Sequence, residues 1–317
     1  MRNMSEKMKL FLSLAVLLLL AVPVMAQGQG EASAASGSVP ITTVVTVLGP
    51  KYTAAPAVGK NEISVYESRD KRDVTGWIPA QGDKAALQLA ILIDDASNTS
   101  LGSQLGDLSN FIKSMPPTTA VGVFYASNGT FRATSQWTND HEAAAKALRL
   151  PLGNGGGVSS IFLSVMDLIR RWPVSNARRE VLLIADGIDR FRGDPFSPDV
   201  QSTIDRAQTA GVMIHTLFAT GVGREAHNSF RINDGQSNLA RITDATGGES
   251  FFQGLQTPIA FAPFLDQLGV VLKNQYWLTW NTPRSTRGRG SLRGFRIRTE
   301  RQDVEISNSQ RVFVPGP

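Results

Sequence analysis

The sequence contains no cysteine, which excludes disulfide bonds, thiolate metal sites, cysteine nucleophiles and lipid attachment through an N-terminal cysteine. Its three histidines show no zinc-ligand spacing, and no Gly-x-Ser-x-Gly nucleophile turn lies near them. The net charge of +5 includes a basic N-terminal segment, so the remainder is only mildly basic and no nucleic-acid partner is indicated. With 42% hydrophobic residues the chain can bury one full-sized core, so its stability comes from packing rather than from cross-links.

The N-terminal segment has the three parts of a secretory signal peptide. Basic Arg2, Lys7 and Lys9 precede the apolar run LFLSLAVLLLLAVPV, and a small-residue cleavage signal ends at Ala26. This order predicts a signal peptide over residues 1–26, cleavage after Ala26, and a secreted or periplasmic protein with no membrane span after cleavage. An uncleaved membrane anchor is the less favoured alternative, because the apolar run is shorter than the roughly 20 residues that usually span a bilayer.

The composition divides the rest of the chain into four parts. Residues 27–38 are small and polar, which predicts a flexible spacer. Residues 83–275 alternate apolar strand patterns with amphipathic helix patterns, which predicts an α/β fold with a doubly wound, mostly parallel sheet and helices on both faces. Residues 39–82 and 276–317 have β character only. Each of these two segments alone would leave strand edges unpaired, so we expect them to pair into a small β subdomain.

Two apolar strand patterns in the central part end on carboxylates. The stretch LQLAILIDDASNTS at 87–100 stops at Asp94 and Asp95 and continues with hydroxyl side chains, and the strand VLLIADG at 181–187 stops at Asp186. Because ligands bind beyond the carboxyl ends of strands in open α/β sheets, these oxygens lie where a binding site is expected. Clusters of oxygen ligands suit a hard cation such as Mg²⁺.

These segments resemble the metal-ion-dependent adhesion site of the von Willebrand factor A domain family. Asp95-Ala96-Ser97-Asn98-Thr99 matches the family's Asp-x-Ser-x-Ser loop, with threonine as the last hydroxyl. Ser159 lies where the family has a threonine, and Asp186 matches the aspartate of its Thr-Asp-Gly-like strand end. The resemblance covers residues 85–275, and NQYWLTW at 274–280 is most similar to the secreted, acidobacterial-type branch of the family.

The resemblance implies a divalent cation, Mg²⁺ or alternatively Mn²⁺ or Ca²⁺, with one coordination position left open for an acidic group of a partner. The ligands that it implies are Asp95, Ser97, Thr99, Ser159 and Asp186, with Asp94 as the alternative to Asp95 by strand position. It also implies a non-enzymatic binding or adhesion module for a protein or other extracellular ligand. A cation-independent interaction scaffold is the alternative, and a metal-dependent hydrolase is a remote one.

Overall fold

The structure is a computed structural model, and it describes residues 37–153, 160–191, 197–251 and 253–317. The expected signal peptide at 1–26, the spacer residues up to 36 and the site residue Ser159 lie outside these ranges. Residues 38–317 form one compact unit. Within the described ranges, no helix is both long enough and apolar enough to cross a bilayer.

Strands and helices alternate through the middle of the chain, and strands dominate both ends. The strands in the described ranges are β1 (Ser38–Gly49), β2 (Thr53–Ala54), β3 (Ser64–Glu67), β4 (Asp70–Arg72), β5 (Val74–Pro79), β6 (Leu87–Asp94), β7 (Thr119–Ser127), β8 (Thr130–Thr138), β9 (Arg178–Ala185), β10 (Val212–Phe218), β11 (Ser250–Phe251), β12 (Gln275–Pro283), β13 (Ser291–Gly294), β14 (Arg296–Arg298), β15 (Glu305–Asn308) and β16 (Arg311–Val314). The α-helices in the same ranges are α1 (Leu105–Lys113), α2 (His141–Lys146), α3 (Ile161–Arg170), α4 (Pro198–Ala210), α5 (Ser229–Thr246) and α6 (Ala262–Lys273).

The central sheet runs in the strand order β11-β10-β9-β6-β7-β8. Its neighbouring strands are parallel except for β7 and β8, so β8 is an antiparallel edge strand. β6 lies inside the sheet because residues 89–93 are apolar and buried on both faces, without polar alternation. The carboxyl ends of β6 and β9 meet at one edge of the sheet, where Asp94 ends β6 and Asp186 follows β9.

Helices cover both faces of this sheet. Alternate residues of β6 belong to different apolar clusters: Leu89 and Ile91 pack with α1, α2 and α6, whereas Ala90 and Leu92 pack with α3, α4 and α5. Burying one leucine or isoleucine side chain contributes about 1.5–3 kcal/mol. The two clusters therefore fix the positions of the strand ends that carry the polar residues.

The terminal segments contact each other directly through β1 and β12. These strands pair antiparallel from Ser38 opposite Pro283 to Thr46 opposite Gln275. β15 pairs with the other edge of β1, and β5 with the other edge of β12, which gives the order β15-β1-β12-β5. An apolar cluster joins this sheet to β3, β14 and β16, and its largest fully buried side chain is Trp280. Each terminal segment thus covers strand edges and apolar residues of the other.

Helix α5 is longer than its sequence pattern predicts. Apolar spacing predicts a helix only at 238–246, but the helix begins at Ser229. Its first half contains Gly235 and exposes Phe230, so helix propensity and apolar periodicity are both weak there. A β-carbon at Gly235 would lie 2.2 Å from the carbonyl oxygen of Asp186, which explains the glycine. The start at Ser229 is capped by Asn228, whose side chain accepts hydrogen bonds from the backbone N–H groups of Phe230 at 3.0 Å and Arg231 at 3.3 Å.

Candidate functional site

The two adjacent carboxylates at the end of β6 enter different environments. Neighbouring side chains of a strand point to opposite faces of the sheet. Both side chains are buried, with Asp94 3% exposed and Asp95 4% exposed. Asp94 accepts a hydrogen bond from the backbone N–H of Ala96 at 3.0 Å, whereas Asp95 forms an ion pair with Arg149. The acidic loop is therefore divided between two separate ion clusters.

The first cluster consists of Asp94, Asp186 and Arg190, and we call it the buried triad. Arg190 donates to both carboxylate oxygens of Asp186, with Nη1 to Oδ1 at 3.1 Å and Nη2 on Oδ2. The side chains of this pair are only 7% and 1% exposed. Gly221 closes the cluster from the next loop, since a β-carbon there would lie 2.2 Å from Asp186 Oδ2. The triad is thus tightly enclosed, with a guanidinium group fixed on one of its two carboxylates.

The pKa values of the triad follow from burial and charge. Burial, followed by the charge of Asp186, raises the pKa of Asp94 to about 7, although Arg190 acts in the opposite direction. Burial alone would lower the pKa of Arg190, but its attraction to Asp186 and their hydrogen bonds raise it above its ordinary value. Arg190 is therefore a permanent positive charge inside the triad, and Asp94 is a weaker acid than an ordinary aspartate.

The second cluster holds Asp95 against the segment that follows α2. The two Nη atoms of Arg149 each lie 2.7 Å from an oxygen of Asp95, which is a bidentate pair. The backbone N–H of Leu152 donates to the same carboxylate at 3.2 Å. The guanidinium lies 3.8 Å from the ring centroid of Tyr125, whose hydroxyl donates to the Arg149 carbonyl at 2.6 Å. The hydrogen bond from Arg149 to Asp95 raises the pKa of the arginine, so Arg149 keeps its positive charge.

The two hydroxyl residues of the expected site that the structure describes, Ser97 and Thr99, lie in different environments. Ser97 is buried, and its Oγ has no hydrogen-bond partner among the described residues. Thr99 is exposed and begins a short 3-10 helix that the Asn98 side chain caps by accepting from the backbone N–H of Ser100 at 2.9 Å. Of the expected ligands that the structure describes, Asp186 lies with the alternative ligand Asp94, while Asp95 lies with Arg149.

These donors do not fit a Mg²⁺, Mn²⁺ or Ca²⁺ site as they are arranged. Such cations need several carboxylate, carbonyl or hydroxyl oxygens with free lone pairs. Here Asp95 and Asp186 are each held by an arginine through two nitrogens. In the described ranges, no three His, Asp or Glu residues are grouped so that they could hold a metal ion. Among the expected ligands that the structure describes, Ser97 alone has a buried oxygen with no hydrogen-bond partner, and this oxygen could still bind a cation. The metal assignment therefore stays a prediction.

The two arginines carry no signal in the sequence that identifies them as site residues. Arg149 is 54 residues beyond Asp95, so only the path of the chain after α2 brings them together. Arg190 follows Asp186 by four residues, a spacing that indicates an ion pair in a helix, but these residues lie in a loop. The motif for oxygen ligands therefore indicates the aspartates but not the two arginines that pair with them.

A groove of about 620 Å³ lies beside the acidic loop, at the carboxyl ends of β6 and β10. Its polar lining includes Asn98, Ser100, Gln104 and Thr220, and the segment before α6 forms its other side. That segment exposes 58% of Leu255 and 96% of Ile259, and both line the groove. Phe230, next to the lining residue Ser229, is 79% exposed. Large apolar side chains are thus exposed to solvent around a polar groove.

Comparison with solved structures finds von Willebrand factor A domains from several sources. The chain is similar to the von Willebrand factor type A structure from Catenulispora acidiphila, with 11% identity, 88% of this chain and 74% of that chain covered, and a TM-score of 0.46. It is similar to an aerotolerance-related membrane protein from Bacteroides fragilis, with 12% identity, 59% and 98% covered, and a TM-score of 0.43. The VWA domain of SpRpn10 matches at 12% identity, with 59% and 97% covered and a TM-score of 0.40. No family profile and no curated protein matches the chain.

Proposed function

We propose that this protein is an exported binding module that engages a partner protein at the carboxyl-end edge of its central sheet, without a divalent cation. In this proposal, residues 83–275 are a doubly wound domain of the von Willebrand factor A type, and segments 39–82 and 276–317 form a β subdomain beside it. The observation that carries the proposal is the exposure of Leu255 and Ile259 around the groove next to the acidic loop.

The groove has the composition of a protein-binding surface. Exposed apolar patches rimmed by polar groups mark interaction sites, because covering them removes apolar surface from water. Burying the Ile259 side chain in an interface would contribute about 1.5–3 kcal/mol. Uncharged side chains such as Asn98, Ser100 and Thr220 can then align a polypeptide through hydrogen bonds. A partner with an apolar side chain and an uncharged polar surface around it fits this lining.

Binding rather than catalysis agrees with the state of the nearby acids. A metal-dependent hydrolase needs carboxylates that hold a metal and its water. Asp95 and Asp186 are instead held by Arg149 and Arg190. Export is supported by the basic, apolar and small-residue parts of residues 1–26.

The experiment is capture of partners from the extracytoplasmic fraction of the producing cells, with the mature chain as bait. Ile259→Asp should abolish capture of the specific partner, because it places a charge at the groove. Val174→Asp is the matched control, since Val174 is 104% exposed but precedes β9 at the opposite edge of the sheet. Both variants should melt like the wild type. Equal capture by both variants would contradict the proposal. Mass spectrometry of the native chain checks export, which requires a mature start at Gln27 rather than at Met1.

A further inference from the structure

We propose that Arg190 is a built-in cation that takes the place of a divalent metal ion in the buried triad. The triad has the elements of a cation site, since β6 and β9 are neighbouring parallel strands and the carboxylates at their ends, Asp94 and Asp186, are both buried. Two such carboxylates need a positive charge beside them. In this protein the guanidinium group of Arg190 supplies that charge from within the chain.

The geometry of the guanidinium group suits this role better than that of an ammonium group. Its planar fork matches the two oxygens of a carboxylate, and Arg190 reaches both oxygens of Asp186. Both oxygens of Asp186 are therefore already occupied by N–H donors, since the backbone N–H of Ile188 also donates to Oδ1 at 3.0 Å. A metal ion could enter only by expelling a side chain that is 7% exposed.

The loop around Arg190 is built to hold the guanidinium in place. Asp189 is buried, and it accepts hydrogen bonds from the backbone N–H of Phe191 at 3.0 Å and from the hydroxyl of Ser197. On the other side, Gly221 leaves no room for the pair to separate, because a β-carbon there would already contact Asp186. Arg190 is thus fixed by its neighbours in sequence and by the loop after β10.

This inference concerns the triad alone, so it can fail or hold independently of the groove. It predicts that the wild-type protein is indifferent to chelators and to millimolar Mn²⁺. Removal of the guanidinium would leave two facing carboxylates and an opening large enough for a cation. Arg190→Ala should therefore create a site that Arg190→Lys, which keeps a positive charge, does not create.

Thermal unfolding of the mature protein in EDTA and in millimolar Mn²⁺ tests the inference. We expect Arg190→Ala to melt roughly 6–15 °C below the wild type in EDTA. Saturating Mn²⁺ at about 100 times its dissociation constant should restore roughly 5–10 °C of that loss. The wild type and Arg190→Lys should not respond to Mn²⁺. A rise in the wild-type melting temperature with Mn²⁺, or a folded Arg190→Ala variant with no response, would overturn the inference.

Mn²⁺ binding to the wild type provides a second test that needs no destabilised variant. The electron paramagnetic resonance signal of free Mn²⁺ should be unchanged when the wild-type protein is added. The inference would be wrong if the wild-type protein reduces this signal and the Asp186→Asn variant does not. That result would show that the triad binds a metal ion.

Discussion

Glu67 joins the two terminal segments of the chain, and its replacement measures how much their contact stabilises the fold. The Glu67 side chain ends β3 and is 3% exposed. From β12, Trp280 Nε1 donates to it at 2.8 Å and Thr282 Oγ1 donates at 2.6 Å. Arg72 and Arg293 each lie 3.3 Å from its carboxylate. One buried carboxylate therefore contacts four donor side chains from three strands, β4, β12 and β13.

The expected cost of losing this carboxylate follows from what it leaves behind. Glu67→Ala leaves the indole and hydroxyl donors of β12 without an acceptor and two arginines without their shared partner. Breaking a buried charged network costs about 3–5 kcal/mol of unfolding free energy. In a unit of this size, that corresponds to a melting temperature lower by roughly 6–12 °C. Glu67→Gln keeps the shape but loses the charge, so we expect about half of that cost.

The cost should also depend on pH. Burial raises the pKa of Glu67, but hydrogen bonds from Thr282 and Trp280 and the charges of Arg72 and Arg293 outweigh burial and lower it below its ordinary value of 4.5. A lowered pKa means that the folded state binds fewer protons than the unfolded chain, so this stability is present above the ordinary pKa. It is lost as the pH falls through the folded pKa. The difference between the wild type and Glu67→Gln should therefore be largest near neutral pH and shrink in acid.

Urea denaturation followed by circular dichroism, at about pH 7 and about pH 3.5, measures this difference. Glu300→Gln is the matched control, because Glu300 is exposed in the loop after β14. The control should change the unfolding free energy by less than about 0.5 kcal/mol. The reasoning is refuted if Glu67→Gln and Glu300→Gln have equal unfolding free energies at neutral pH. It is also refuted if the loss of unfolding free energy in Glu67→Gln is as large in acid as at neutral pH.

Three further substitutions test the site. Gly221→Ala should lower the unfolding free energy by about 1–3 kcal/mol, since its β-carbon would lie 2.2 Å from an Asp186 oxygen. Gly269→Ala is the control for the same urea titration. It should not be destabilising, because its β-carbon would have no other atom within 4 Å. Asp94→Asn removes one of the two neighbouring carboxylates of the triad, so the melting temperature at about pH 8 should be unchanged or higher. A melting temperature lower by several degrees would contradict the repulsion between Asp94 and Asp186. Arg149→Ala should lower the unfolding free energy by about 3 kcal/mol, because it leaves Asp95 buried without its partner. The control Arg170→Ala removes an arginine whose side chain is 67% exposed. In the same chemical denaturation it should lower the unfolding free energy by less than about 1 kcal/mol.

The sequence alone determined the parts of this protein that depend on neighbouring residues. The apolar runs at 89–93 and 181–185 lie in strands at the centre of the sheet, because side chains that are apolar on both faces are stable only between two layers of helices. Parallel strands place their carboxyl ends at one edge, so the proximity of Asp94 and Asp186 also follows from the pattern. The β character of both chain ends likewise indicated strands at β1 and β12, which pair along their length.

Only the tertiary structure decided which charges meet. The choice between Asp94 and Asp95 as the partner of Asp186 depends on the face of the sheet to which each side chain points, and the sequence pattern left both open. Arg149 and Arg190 reach their carboxylates through loops, whose paths no periodicity encodes. The close approach of Gly235 in α5 to the end of β9 likewise joins parts of the chain that lie far apart in sequence. Local patterns specify elements, whereas ion pairs across loops are specified by packing between distant parts of the chain.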